Sequence, residues 1–186
     1  MEDWEQWELF SISGTPTPAS VNARNVITNP NLRATPDAIS RFWRQVVKGP
    51  ADHCWIWVGA VSTPDGYGRI SWQVDGQRRT LSAHRFALLL DHGDVLPDGI
   101  VGEHSCCEPL CVRVGDEHLR LTTQSANISY AVARGRHNSN RKVVDSDQRA
   151  TRSLRVRAAV KDGWDLRTLR AAQDNFPTIP GQNLLW

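Results

Sequence analysis

Three of the four cysteines fall within six positions, in the run EHSCCEPLC (residues 103–111), next to a histidine and a glutamate. Cys106 and Cys111, with His118 seven residues further on, are the soft and borderline donors that a tetrahedral zinc ion takes. The fourth ligand would come from Cys107 or from Cys54, at the head of CWIW. Neighbouring cysteines send their side chains apart, which favours Cys54. That choice would tie an upstream strand to the loop and make metal binding part of the folding energy. Without a metal, the same residues are buried free thiols.

With zinc on Cys54, Cys106, Cys111 and His118, one histidine is left over. His104 would stand at the end of a strand beside the knot, where a neutral imidazole can act as a general base. Asn127 lies nine residues beyond His118, in about the first turn of the next helix. Its amide oxygen is a hard donor of the kind Mg²⁺ prefers. Glu103 adds a carboxylate. Each residue also has a plainer reading: His104 as a zinc ligand displacing Cys106 or Cys107, Asn127 as a helix cap or a solvent-facing amide, Glu103 as a surface charge.

The elements that must position these groups are legible in part. TPDAISRFWRQVVK (35–48) predicts a helix, with Thr35 as cap and Pro36 in the first turn. Ile39, Phe42, Trp43, Val46 and Val47 form its apolar face. CWIWVGA predicts a short buried strand, and GYGRISWQV an alternating one. Asp75–Gly76 then makes a hairpin turn, from which QRRTL returns. Ser82 opens a helix through AHRFALLLDH that Gly93 ends. Ile100–Val101 predicts a strand, a helix runs from about Thr123 to Gly135, and two more cover 145–161 and 165–175, broken by DGW.

The chain has 186 residues, 40% hydrophobic and 23% charged, which suits one globular domain with appended arms. No stretch is apolar for long enough to span a membrane. The acidic start (Glu2, Asp3, Glu5, Glu8) lacks the form of a signal peptide. The reading is therefore intracellular, where clustered cysteines bind metals more often than they form disulfides. Residues 1–34 read as an arm. The net charge of +2 conceals an asymmetry: eleven of the 22 Lys and Arg lie between Arg134 and Arg170, against four aspartates. A basic arm over 137–186 suits a polyanion or solvates a helix surface.

Taken together, RFWRQVVKGPADHCWIWVGA, GYGRI, AHRFALLLDHG, LPDGIVGEHSC, CEPLC, EHLRLTTQSANI and ARGRH resemble the HNH and His-Cys box nucleases of the ββα-metal superfamily, most closely the small phage and homing type. The resemblance covers about half the chain. It implies an α+β fold, with a ββα-metal nuclease core over 35–136 that carries structural zinc on Cys54, Cys106, Cys111 and His118. It implies His104 as general base, Asn127 on the catalytic Mg²⁺ and Arg69 on the scissile phosphate. The HNH variant without zinc has aspartate where Glu103 stands, so the glutamate departs from the pattern and Asn127, more than Glu103, is the implied Mg²⁺ ligand. The implied activity is hydrolysis of double-stranded DNA, leaving 5′-phosphate and 3′-hydroxyl ends, in a bacterial or phage-encoded enzyme. The hairpin would present Gln77, Arg78 and Arg79 to a DNA groove, with Arg134 and Arg136 at the end of the core adding to the contact, and the arm over 137–186 would bind DNA or dimerise. Cutting both strands at one site implies a homodimer. A monomeric nickase and a DNA-binding module without catalysis are the rival readings.

Overall fold

The computed structural model describes residues 32–93, 96, 99–133 and 146–174. Most of the N-terminal arm, Arg134, Arg136 and the FPTIPGQNLLW end lie outside the described residues. The described chain is a mixed α and β fold of small antiparallel sheets and helices.

α1 spans Pro36–Arg44, and the Thr35 hydroxyl accepts from the Ala38 main-chain N–H at 3.3 Å. The helix ends earlier than its apolar pattern predicts. Val46–Lys48 is β1, paired antiparallel with β2 (Trp55–Trp57). Gln45 leaves helical geometry at ψ 21°. The two valines after it are β-branched and are better accommodated in the ladder than in a last helical turn. β3 (Ala60–Val61), β4 (Gly68–Val74) and β5 (Gln77–Ser82) form the second sheet. Asp75 and Gly76 both have positive φ, as a type I′ hairpin requires.

α2 (Ala83–Asp91) follows directly and buries His84, Phe86, Leu88 and Leu89. β6 (Ile100–His104) pairs with β7 (Leu119–Thr123), and α3 (Gln124–Ala133) follows, so the cysteine loop lies inside a strand–strand–helix unit. β7 is not anticipated from the sequence, although Leu119, Arg120, Leu121 and Thr122 alternate apolar and polar, because an alternation this short also fits the lead into the following helix. α4 (Ser146–Val160) and α5 (Leu166–Asp174) complete the described chain.

The core runs through every layer. Phe42 is fully buried and packs on Trp43, Trp57 and Phe86 with ring centroids 5.0 to 5.4 Å apart. Phe42→Ala is expected to cost about 3–5 kcal/mol by opening a cavity between α1 and α2. The check is a urea melt with a lowered midpoint and an unchanged slope. Val156 and Val160 on α4 and Leu169 on α5 belong to this same core. The basic segment that the sequence sets apart as an arm thus shares, over 146–174, the interior of the body. Its apolar positions are too few and too widely spaced among arginines to reveal that packing beforehand.

Candidate metal knot and histidine site

Two main-chain hydrogen bonds fasten the cysteine loop to β2: Trp57 N–H to the Leu110 carbonyl and Val112 N–H to the Trp55 carbonyl, both 2.8 Å. The loop therefore becomes an extra edge on the strand that begins after Cys54. As a result the ligand atoms of Cys54, Cys106, Cys111 and His118 all lie within 4.8 Å of one another. The His118 Nδ1 is 3.6 Å from the Cys54 Sγ and 3.8 Å from the Cys111 Sγ. Zinc–nitrogen and zinc–sulfur bonds of ordinary length, in a tetrahedron, put such atoms about 3.5 Å apart. The four residues chosen on donor chemistry are the ones the fold assembles, and together they could hold a metal ion.

The protonation of the cluster agrees with that. Cys106 is held far below the ordinary thiol range by the hydrogen bonds it accepts from Cys111 and then from Cys54. Correspondingly, bonding to Cys106 pushes Cys54 far up and Cys111 up to about 12. A divalent ion replaces the thiol protons and removes the repulsion between thiolates.

Cys107 stays outside the cluster. It turns the chain at φ 60°, and its thiol faces the Ser105 carbonyl at 3.6 Å. His104 is not among the four clustered ligands either. Both of its ring nitrogens are buried without a hydrogen-bond partner. His104 is close enough to Cys106 to help hold that thiol down, yet forms no hydrogen bond of good geometry with it. Its ring sits 5.0 Å from that of His84 and 6.3 Å from that of Tyr67. Burial, and then the neighbouring His104, Arg85 and Arg69, push His84 down to about 3. His84 is therefore a neutral wall to the site, anchored through Nε2 to the Ser82 hydroxyl at 3.4 Å.

Glu103 is no surface charge: it is 3% exposed. Oε1 accepts from Arg120 at 3.3 Å, while Oε2 is buried with no hydrogen-bond partner. Arg120 also lies over the Tyr130 ring, 5.6 Å from its centroid, and the Tyr130 hydroxyl donates to the Ser105 carbonyl at 3.5 Å. Asn127 is half-buried and three residues before Tyr130, hence on the same face of α3. Thr123 takes the capping role instead, accepting from the Ala126 N–H at 3.2 Å.

Arg69 pairs with Asp65 at 2.8 Å and remains partly exposed. Burial would raise the Asp65 carboxyl, but the Ser62 hydroxyl, the Tyr67 N–H and Arg69 outweigh it and hold it below the usual range. The hairpin residues divide between faces. Arg78 pairs across the ladder with Gln73, and both are exposed; Arg79 and Gln77 stand opposite the buried Trp72 and Val74, Arg79 half-buried and Gln77 exposed at the turn. Arg78 also shares an open cleft of about 400 Å³ with Arg41, Arg69 and Ser71. Tyr67, Arg120, Tyr130 and Arg41 carried no signal in the sequence, because their contacts are all long-range or depend on which strand face is outward.

No protein-family model matches the chain. Over 101 residues it is 31% identical to protein 2.8 of Escherichia phage T7, a stretch covering 54% of this chain and 65% of that protein. A solved structure of DNA binding and cleavage by the HNH homing endonuclease I-HmuI aligns with 50% of this chain and 59% of that one, at 23% identity and a TM-score of 0.34. The chain thus spans less than two thirds of either relative. Among the described residues, no helix is long and apolar enough to cross a membrane.

Proposed function

We propose that this protein is a metal-dependent DNA endonuclease that hydrolyses phosphodiester bonds. The observation that carries the reading is His104. It is an imidazole at a strand end, both nitrogens unpartnered, fixed beside a rigid Cys₃His knot. An orphaned buried base is costly unless something binds to it, and a water aligned on a phosphorus is such a partner.

In this reading His104 takes the proton from the attacking water. Arg69 leaves Asp65 to contact the scissile phosphate. Asn127 would hold a Mg²⁺ ion, and the buried Oε2 of Glu103, which has no hydrogen-bond partner, is a candidate second hard oxygen for it. That ion, when bound, stabilises the charge that develops on the phosphate and the leaving 3′ oxygen. Zinc on Cys54, Cys106, Cys111 and His118 keeps the loop closed and stays out of the chemistry. Arg78 and Gln73, on the exposed hairpin face, read or track the DNA, and a homodimer supplies the second cut.

The test is incubation of the purified protein with supercoiled plasmid and a phage genome, with Mg²⁺ and then with EDTA. Discrete Mg²⁺-dependent fragments are expected. Open circles with no linear product would replace the dimer by a monomeric nickase. Bound but uncut DNA across all substrates would leave a zinc-stabilised binding module and sink the proposal.

A further inference from the structure

Glu108 sits in the middle of the cysteine loop and is 1% exposed. A buried carboxylate needs compensation, and here the partners come from far along the chain. Oε2 pairs with Arg152 of α4 at 3.0 Å and accepts from the side-chain amide of Gln173 of α5, also at 3.0 Å. Oε1 accepts from the Leu110 main-chain N–H at 3.2 Å. The main chain of the same residue works on the knot. Its carbonyl accepts from the Cys111 N–H at 3.0 Å, and it stands two residues after Cys106. One residue thus holds a metal ligand through its backbone and two helices through its side chain.

We infer that Glu108, Arg152 and Gln173 form a clasp by which the helical pair α4–α5 keeps the metal knot closed. Glu108 is a positioning residue: it acts on Cys106 and Cys111, and through the loop on His104, without touching a substrate. The inference rests on the cluster being a metal site. It goes beyond the nuclease reading by giving α4–α5 a duty toward the metal rather than toward DNA.

The experiment measures release of zinc from the full-length, zinc-loaded protein to a chromophoric chelator. Arg152→Ala leaves a buried, uncompensated carboxylate and is expected to release zinc about 10- to 100-fold faster than wild type, the range found when groups supporting metal ligands are removed. Gln173→Ala removes only a neutral donor, and a rise of a few-fold is expected. Adding Glu108→Gln to Arg152→Ala takes away the stranded charge and should recover much of the wild-type rate. Val156→Ala weakens α4 at a fully buried site outside the clasp and should lower stability while leaving release slow. Release from Val156→Ala as fast as from Arg152→Ala would overturn the clasp. If Arg152→Ala does not fold, wild-type release from Gln173→Ala would overturn it equally. A wild-type protein that takes up no zinc would instead remove the metal site itself, a distinct result seen before any variant is compared.

Discussion

Cys111→Ser is expected to yield a protein that retains no zinc and unfolds far below wild type. Cys111 is fully buried, bridges to Ile56 of β2, and contributes a sulfur to a cluster that otherwise crowds three thiols and an imidazole within 4.8 Å. Removing one ligand leaves those groups with neither a cation nor water. Structural zinc sites contribute folding energy outright, while a whole domain is stable by only about 5–15 kcal/mol. A loss of about 5 kcal/mol would lower the melting temperature of a chain this size by roughly 10–20 °C. Metal analysis should find one zinc per wild-type chain, and prolonged chelation should reproduce the variant's melt. Cys107→Ser is the control. Its thiol faces only the Ser105 carbonyl, so metal content and stability should be unchanged. A Cys111→Ser protein melting within a degree or two of wild type would mean that the cluster is no more than a group of thiols.

The second large effect is on catalysis. His104→Ala should lower plasmid cleavage by about 10²- to 10⁴-fold, the contribution typical of a positioned general base. Zinc content, DNA binding and stability should hold. The ring nitrogens have no hydrogen bond of good geometry but lie close to Cys106, so zinc content is the control that separates lost catalysis from a disturbed knot. His84→Ala is a different perturbation. His84 is buried against His104 and Tyr67, so its loss should loosen the wall and lower stability as well as rate. Equal cleavage by wild type and His104→Ala would remove His104 from the chemistry.

Much of this site was legible in the residues themselves. Donor chemistry selected Cys54, Cys106, Cys111 and His118, because only a few residue types bind zinc and adjacent cysteines diverge. The hairpin turn at Asp75–Gly76, the cap at Thr35 and the helices at 83–91 and 124–133 follow from local rules of backbone sterics and capping. Local rules failed where a neighbour from elsewhere in the chain outbid them. Val46–Lys48 leaves α1 because Trp55–Trp57 offers a ladder, and LRLTT becomes β7 because Ile100–His104 lies opposite.

Everything that depends on which side chains share a space was settled only by the tertiary fold. Glu103 turned from a surface charge into a buried carboxylate. The hairpin's Arg78 separated from Arg79 because pairing with Gln73 set it on the exposed face. Glu108 found Arg152 and Gln173, 44 and 65 residues along the chain, and no periodicity could announce such pairs. The reason is physical: the sequence by itself determines which chemistry is available, through residue type and short-range geometry. The energy of a buried charge depends on the partners that packing brings within about 3 Å of it.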